Sequence, residues 1–590
     1  MEKIATFDIV LGYCDKALVY KVVRRDNIIM NGDNGKLLIY QVLPRLYGNV
    51  SGKNRPGGSI EENGCGKLSH VTRERLADLK GLGFTHVWYT GILEHATTTP
   101  YPGITHDHPD VVKGRAGSPY AIKDYYDVDP DLADDPAARR DDFRRLVDRT
   151  HAAGLGVIID FVPNHVARQY HSDCRPPLEE DFGEQDDRGM RFRRDNNFYY
   201  LTDQMLVIGS DYGPEPTAYS EYPARATGND VFHAQPTRDD WYDTVKLNYG
   251  VDPDTGETHF EEPVPDTWTK MYHILYYWAV LGVDGFRCDM AEMVPVPFWR
   301  WVIRKLRPDF PRLLFIGEIY QPWRYREYLD AGLDYLYDKV GLYDTLVGIL
   351  KGECAASDIT SVWQSQEGLS GLMLHFMENH DEQRLASDFI VGTGSKAIPA
   401  VAVSALIDGG PMMIYFGQML GERGMDEEGF SGRNGRTTIY DYWSMESMRA
   451  LHHPVLLSEE QQELRERYRR LLEVARYPVF HHGLFFDLMY AVSDRLDARK
   501  QYAFLRYRPG SLALVVANFA DHSVDLALPI PEHAFETLRC PRGKNCRQLD
   551  LSTGEEEVVT LESDRPYRIK VRPHDYSVVL FSPLSPYFPE

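Results

Sequence analysis

The chain has 590 residues, of which 43% are hydrophobic and 26% are charged, and its formal net charge is -23. This length predicts two to four soluble globular domains. The acidic charge argues against nucleic acid and against an anionic membrane as partners, because both need clustered Lys and Arg. The seven cysteines show no metal-ligand spacing, and the N-terminus has no apolar signal run, so we expect a cytoplasmic protein unless a signal has been removed.

Short apolar runs alternate with longer amphipathic segments between residues 37 and 450. Such alternation predicts a parallel sheet, either in a βα barrel or in a doubly wound fold. The predicted strands are 37–43, 85–90, 157–161, 283–288, 313–316, 372–376 and 412–416, and the predicted helices are 72–82, 141–153, 268–281 and 299–306.

Two stretches interrupt this alternation. Residues 166–244 are polar and rich in Asp, Arg, Gly and Pro, which predicts an insertion after the third strand. Residues 94–117 follow the second strand and contain three histidines, His95, His106 and His108. Their spacing fits no standard metal site, so we expect a loop that shapes a cleft.

The pattern changes at both ends of the chain. After about residue 478, β-rich runs separated by turns predict a small antiparallel sandwich. Residues 1–36 alternate weakly and predict a short β extension to which the sequence assigns no function.

Four of the predicted strands end in ionisable residues. The four segments are 157–165 with Asp160, Asn164 and His165, 283–289 with Arg287 and Asp289, 314–318 with Glu318, and 374–381 with His380 and Asp381. In a βα barrel the carboxyl ends of the strands meet at one face, where active sites are built. Four distant segments would therefore line one pocket.

Two carboxylates in such a pocket can cleave a glycosidic bond. One attacks the anomeric carbon, while the other protonates the leaving oxygen and then activates water. A retaining mechanism needs them about 5–5.5 Å apart, which neighbouring strand ends can supply. Arg287 and Asp289 leave the same face of a strand, so Arg287 can keep Asp289 ionised as a nucleophile. Glu318 follows an apolar strand, and burial beside negative charge suits an acid.

Each motif by itself also has a structural interpretation. A single Asp at a strand end is more often a cap, and a lone Arg–Asp pair is more often a structural ion pair. The joint occurrence of all four motifs, each at a strand end, favours catalysis.

The four segments resemble the four signature regions of the α-amylase family, glycoside hydrolase family thirteen. The matching stretches are 160–165 (DFVPNH), 285–289 (GFRCD), 317–318 (GE) and 378–381 (ENHD), with further matches at 117–130, 241–249 and 411–418. The resemblance covers about residues 37–450. It implies an α/β protein with a (β/α)8 TIM barrel, an inserted domain B after strand three and a C-terminal antiparallel β-sandwich. The implied bounds are 1–36 for the β extension, 37–165 and 245–477 for the barrel, 166–244 for domain B and 478–590 for domain C.

Carried over by position, the resemblance implies a role for each matching residue. Asp289 would be the nucleophile, Glu318 the acid/base, and Asp381 the residue that stabilises the transition state through the sugar hydroxyls. The residues that would contact or support the substrate are Tyr120, which would stack on the sugar ring, His165 and His380, which would hydrogen-bond the sugar, Arg287, which would orient the nucleophile, and Asp160.

The chain departs from the family pattern directly after Asp289. Glu292 and Met293 stand where many α-amylases carry a Lys and a His, which serve the acceptor side and a calcium site. The acceptor subsites of an ordinary endo-amylase are therefore in doubt. Asn164 matches the family's calcium-binding Asn, so calcium is a candidate cofactor, although the missing His weakens that case.

The resemblance predicts a retaining hydrolase that cleaves α-1,4-glucosidic bonds of starch, glycogen or maltooligosaccharides. A glucanotransferase is the alternative, because the same nucleophile and acid serve both reactions and the acceptor site decides between them. A non-catalytic glucan-binding or scaffold barrel is the third hypothesis. The presence of Asp289, Glu318 and Asp381 argues against it.

Overall fold

The structure is a computed structural model that describes residues 8–12, 17–21, 35–209, 219–424, 430 and 432–584. Eight parallel strands close into a barrel, in which each strand pairs with the next along the chain and the last pairs with the first. The strands are β1 (Leu38–Val42), β2 (His86–Tyr89), β3 (Gly156–Phe161), β4 (Gly285–Cys288), β5 (Leu314–Gly317), β6 (Tyr335–Tyr337), β7 (Met373–Phe376) and β8 (Met412–Tyr415). Of the two predicted architectures, the βα barrel is confirmed.

Helices connect the strands and follow the last of them. Those with at least seven residues are α1 (Arg73–Gly81), α2 (Arg139–Ala152), α3 (Asp266–Val280), α4 (Val296–Leu306), α5 (Tyr325–Ala331), α6 (Asp344–Lys351), α7 (Ile359–Ser365), α8 (Ile398–Leu406), α9 (Glu446–His452), α10 (Glu459–Ala475) and α11 (Glu532–Leu538). Helix α4 begins three residues before the prediction, because its first turn accommodates Pro297 without losing a hydrogen bond. Among the described residues, no helix is long and apolar enough to cross a bilayer.

Strand β6 is the barrel strand that the sequence pattern did not predict. It contains only three residues, and Asp334 and Asp338 flank it directly. A run this short has no measurable period. Its pairing with β5 and β7 completes the barrel wall.

The interior of the barrel is a packed core. Buried side chains from seven of the strands meet there: Ile39, Trp88, Ile158, Ile316, Tyr337, Leu374, Phe376 and Met413. Because side chains alternate along a strand, the neighbouring residues face outward to the helices. This core supports the strand ends that carry the ionisable residues.

The long segment between β3 and α3 returns to its starting point. Strand His165–Ala167 pairs with strand Thr244–Lys246 in antiparallel fashion, so the two ends of the insertion lie side by side. A second short pair joins Tyr200–Leu201 to Ala224–Arg225. In the segment after β2, Leu93–His95 pairs with Ile122–Val128.

The C-terminal part is an antiparallel sheet domain, as predicted. Its strands are β9 (Leu484–Asp487), β10 (Gln501–Arg508), β11 (Ser511–Asn518), β12 (Val524–Pro529), β13 (Lys544–Asp550), β14 (Glu556–Leu561), β15 (Pro566–Val571) and β16 (Asp575–Pro583). Six of them form one sheet in the order β9-β10-β11-β16-β13-β14, and β12 pairs with β15.

The predicted N-terminal β extension falls partly outside the described residues. Within them, Asp8–Gly12 pairs with Ala17–Lys21 in an antiparallel two-stranded sheet. The remaining residues up to 34 are not described. The domain bounds given above stay predictions.

Candidate active site

The four predicted catalytic segments meet at the carboxyl end of the barrel. Asp160 lies near the end of β3, Asp289 directly follows β4, Glu318 directly follows β5, and Asp381 lies beyond β7. The site is built where βα barrels place their chemistry.

Arg287 is the fully buried cation at the centre of this group. Its Nη1 lies 2.6 Å from Oδ1 of Asp289 and 3.4 Å from Oδ1 of Asp160. Its Nη2 lies 2.8 Å from Oε2 of Glu318. Its Nε donates to the hydroxyl of Tyr337 at 3.1 Å. One guanidinium therefore contacts three carboxylates, which leaves the group with an excess of negative charge.

Burial and crowding act against the ionised form of Asp289. Burial raises the pKa of Asp289 well above its usual value, Arg287 opposes the rise, and Glu318 and Asp381 add to it. Burial likewise raises the pKa of Asp160, again against Arg287. Arg287 contacts Asp289, and its charge opposes the effect of burial on that carboxylate.

One cation and two hydrogen-bond donors surround the carboxylate of Glu318. Besides the contact with Arg287, the backbone N–H of Met290 donates to Oε2 at 2.7 Å, and the hydroxyl of Tyr320 lies 2.5 Å from Oε1. Met290 has a φ of 43°, a conformation that side-chain-bearing residues rarely adopt. Such local strain is typical of functional turns, and here the turn directs an N–H at a predicted catalytic group.

His380 connects Tyr120 to Asp381. Its Nε2 lies 2.5 Å from the hydroxyl of Tyr120 and 2.9 Å from Oδ2 of Asp381, and its Nδ1 lies 2.9 Å from Nε2 of Gln41. Burial would raise the pKa of Asp381, but His380 lowers it to about 2. Asp381 is therefore an anion at neutral pH, on the open side of the group.

Tyr120 is buried and packs against the same histidine. The two rings are stacked with centroids 5.0 Å apart and an angle of 20° between their planes. The hydroxyl of Tyr120 also donates to Oδ1 of Asp160 at 3.3 Å. The stacking of Tyr120 on a sugar ring stays a prediction.

His165 is buried and electrically neutral. Burial, followed by the charge of Lys246, lowers the pKa of His165 to about 3. Its ring lies 5.1 Å from that of Trp241. A neutral imidazole can donate or accept a hydrogen bond to a hydroxyl without adding a positive charge.

An open cavity of about 430 Å³ adjoins the group. Tyr320, His380 and Asp381 line it on the side of the carboxylates. The lining also contains Lys339, Asn434, Arg436 and Tyr440. A cavity of this size that is lined in part by polar groups is typical of a small-molecule site.

The comparisons with known proteins agree with this geometry. Residues 41–312 match a family model described as the α-amylase catalytic domain. The chain is 23% identical to neopullulanase 2 of Thermoactinomyces vulgaris over 420 residues. The aligned residues are 69% of this chain and 60% of that protein. The chain is 25% identical over 469 residues to the α-amylase MalA of Haloarcula japonica, covering 77% and 53%. The chain thus spans little more than half the length of these two relatives.

A solved structure agrees at the level of the fold. The α-amylase of Geobacillus thermoleovorans superposes with a TM-score of 0.60 at 16% identity, over 93% of this chain and 99% of that one. The part of the chain from residue 41 to residue 312 therefore belongs to the α-amylase family. The family resemblance is thereby confirmed, and the matched range contains β2, β3 and β4 with Arg287. The roles of the site residues stay predictions.

Three further aromatic side chains contact the residues of this site, and the sequence patterns did not single them out. Trp88 donates from Nε1 to Oδ2 of Asp160 at 3.0 Å, and Tyr337 contacts Arg287. Both belong to the barrel interior, where a sequence pattern does not distinguish a core aromatic from a site aromatic. Tyr320 lies two residues after Glu318, a spacing that could have indicated it.

The calcium expected at Asn164 does not fit the observed contacts. Oδ1 of Asn164 accepts a hydrogen bond from Nζ of Lys246 at 2.5 Å, and its Nδ2 donates to the carbonyl of Gly228 at 2.8 Å. The amide oxygen that a hard cation would need is therefore bound to an ammonium group. We derive no catalytic step through a metal.

A second group of potential metal ligands lies elsewhere. Oxygen atoms of Asp124 and Asp127 and the Sγ of Cys174 lie within 4.8 Å of one another. Asp127 pairs with Arg139, and Asp124 accepts from the hydroxyl of Ser172 at 2.6 Å. Both carboxylates thus already have binding partners within the protein.

The three histidines after β2 do not form a group. His95 is buried, contacts Arg45 and lies 3.0 Å from the carbonyl of Leu93 through Nδ1. Burial lowers the pKa of His95 to about 4, so it is a neutral core residue. The role of this loop in shaping the cleft stays a prediction.

Proposed function

We propose that the protein is a retaining α-glucan hydrolase, with Asp289 as nucleophile and Glu318 as general acid/base. The observation that carries the proposal is the guanidinium of Arg287, whose two terminal nitrogens lie 2.6 Å from Asp289 and 2.8 Å from Glu318. Two carboxyl groups held by one planar cation favour the close approach, about 5–5.5 Å, that double displacement needs.

In the first step an oxygen of Asp289 attacks the anomeric carbon of the sugar. The bond to the leaving oxygen breaks, and Glu318 transfers its proton to that oxygen. Attack consumes the negative charge of Asp289, which burial and crowding already disfavour. The developing positive charge on the sugar is stabilised by Asp381, which is an anion at neutral pH.

In the second step Glu318 takes a proton from water, and the water oxygen displaces Asp289 from the anomeric carbon. Glu318 thus alternates between the protonated and the ionised form. The hydroxyl of Tyr320, 2.5 Å from Oε1, can serve both forms because a phenol donates to a carboxylate and accepts from a carboxylic acid. We assign Tyr320 as a positioning residue for this proton.

The α-1,4-glucan substrate is supported by the family and by the kinds of relatives found. Proteins named neopullulanase, α-amylase and cyclomaltodextrinase each match 66% or more of this chain. A neutral polymer also suits a chain with a net charge of -23, because a strongly anionic ligand would be repelled. We expect starch, glycogen or maltooligosaccharides as substrates.

Transglycosylation is the second candidate, and it concerns the acceptor side. Oε2 of Glu292 accepts from the backbone N–H of Tyr320 at 2.8 Å, so this residue is used to hold the loop after Glu318. A relative in Pseudomonas aeruginosa is named a maltose-1-phosphate maltosyltransferase and matches 43% of this chain at 22% identity. A sugar hydroxyl in place of water would turn the same two steps into transfer.

The deciding experiment is a product profile from a maltooligosaccharide of defined length, with the anomeric proton followed by NMR during the first minutes. We expect shorter sugars that first appear as the α-anomer. Products longer than the substrate would make the protein primarily a transferase.

Two results would contradict the proposal. Initial β-anomers would exclude double displacement, and the absence of turnover on every α-1,4-glucan would exclude the substrate class. The matched control is Asp289→Asn under the same conditions, because it removes the nucleophile and keeps the side-chain shape.

A further inference from the structure

Lys246 is a buried lysine whose ammonium group lies among oxygen atoms. It ends the strand Thr244–Lys246, opposite His165 in the pair that closes domain B. Its side chain is only 10% exposed. Burial of a lysine to this degree is rare unless the charge is paired.

Three oxygens from three separate segments surround its Nζ. Oδ1 of Asn164 lies at 2.5 Å, Oδ1 of Asp230 at 2.8 Å and the carbonyl oxygen of Met293 at 3.4 Å. An ammonium group has three N–H donors and no acceptor, so three oxygens match its capacity. A carboxylate, an amide oxygen and a backbone carbonyl are also the set that a hard divalent cation takes.

The three segments have different positions in the fold. Asn164 follows barrel strand β3, Asp230 belongs to domain B, and Met293 ends the turn that begins at Asp289. Whatever cation occupies this place joins domain B to the turn behind the nucleophile. An ammonium group and a divalent ion cannot share it, because both would need the same oxygens and would repel each other.

We propose that the ammonium of Lys246 is a built-in cation at the position where the family resemblance implies calcium. It neutralises Asp230, satisfies two buried oxygens and holds domain B on the barrel without a metal. The stability of the protein is therefore independent of divalent ions, whichever reaction the site catalyses. Removal of the lysine side chain would convert the place into a site for calcium.

The test compares the full-length wild type with Lys246→Ala and Lys246→Met. Calcium content is measured by equilibrium dialysis followed by elemental analysis, and thermal unfolding is followed in EDTA and in millimolar calcium chloride. The alanine variant opens a space beside three oxygens, whereas the methionine variant fills that space with an uncharged chain of similar length. Lys246→Ala combined with Asp230→Asn removes the carboxylate as well.

We expect the wild type to bind no calcium at this place and to keep its Tm in both solutions. Lys246→Ala should bind calcium, with a Tm about 2–4 °C higher in calcium than in EDTA. Neither Lys246→Met nor the double variant should respond. If Lys246→Ala folds in calcium but not in EDTA, this result also supports the proposal, because the variant then depends on calcium to fold.

Two results would overturn the inference. One is a wild-type protein that binds one calcium per chain and loses it on Asn164→Ala. The other is a folded Lys246→Ala variant that ignores calcium as Lys246→Met does. If Lys246→Ala folds under neither condition, the calcium content of the wild type decides alone.

Discussion

Two buried groups of charged side chains in the barrel are built in opposite ways. At the mouth, Asp160, Asp289 and Glu318 share the single cation Arg287. On the outer face of β7, one histidine stands between two carboxylates: Nδ1 of His375 lies 3.1 Å from Asp338, and its Nε2 lies 2.9 Å from Asp408. Since Leu374 and Phe376 face the barrel interior, His375 faces the other way.

The second group is close to electrical balance. Burial would lower the pKa of His375, but Asp408 and Asp338 raise it to about 9. The pKa of Asp408 is held far below its usual value, because His375 and Lys36 outweigh burial. Lys36 also donates to the carbonyl of Asp408 at 2.8 Å.

This difference in charge balance distinguishes a candidate catalytic site from a group that stabilises the fold. In the outer group the charges satisfy one another, so each stabilises the fold. At the mouth burial raises the pKa of Asp289, so its ionised form destabilises the fold while being available for attack. Functional sites commonly carry this kind of unfavourable charge.

Asp289→Asn should give the largest effect. We expect the turnover rate to fall by about four orders of magnitude, because the amide cannot form the glycosyl intermediate. Tm at neutral pH should stay the same or rise, since the variant removes a charge that is unfavourable in the folded state. The matched control is Asp525→Asn, an exposed change on β12. A loss of Tm in Asp289→Asn without loss of activity would reverse the comparison.

Glu318→Gln should reduce turnover of maltooligosaccharides by about 10³-fold, because general acid catalysis is lost. The first step on glucosyl fluoride should slow much less, because the fluoride leaving group needs no proton. The measurement is the ratio of kcat/KM for the two substrates in variant and wild type. An equal loss on both substrates would remove Glu318 from the role of the acid.

Asp408→Asn should destabilise the protein by about 3–5 kcal/mol, because it leaves a buried imidazolium with one partner fewer. Urea unfolding measures the change, with the exposed pair residue Asp494→Asn as control. We expect kcat per folded molecule to be unchanged. A large fall in kcat with normal stability would mean that the outer group takes part in the reaction.

The titration of His375 should be visible in the pH dependence of stability. The pKa of His375 is about 9 in the folded protein and 6.5 as its ordinary value, so its contribution is fully present below about pH 6.5. It should be lost as the pH rises towards 9, amounting to about 3 kcal/mol. Unfolding free energies measured from about pH 6 to about pH 10 give the slope of stability against pH. In Asp408→Asn the slope should flatten, and an unchanged slope would exclude His375 as its source.

Tyr120→Phe should have the smallest effect, about a tenfold fall in kcat, because the contacts of the hydroxyl with His380 and Asp160 are lost. The ring and its stacking on His380 are retained, so Tm should change little. Tyr120→Ala serves as the comparison, and it should lose both activity and stability. Equal activity of Tyr120→Phe and wild type would leave the hydroxyl without a catalytic role.

The motifs of the site could be predicted from the sequence because they are local. An apolar run of four or five residues followed by an ionisable group is visible without any contact, as at Glu318. The short strand β6 was missed for the opposite reason, since its three residues are a strand only through their neighbours. The partner of Asn164 was missed because it lies 82 residues further along the chain.

By itself the sequence determined which residue types stand at the strand ends, and thereby the family and the class of chemistry. Only the tertiary structure decided how the charges are shared: one Arg287 for three carboxylates, one His375 between two, and Lys246 among three oxygens. Such sharing depends on the pairing of β3 with β4, which brings Arg287 and Asp160 together across 127 residues of chain. A local sequence pattern shows which residue is charged, whereas the distance from that residue to its partner of opposite charge is set only by folding.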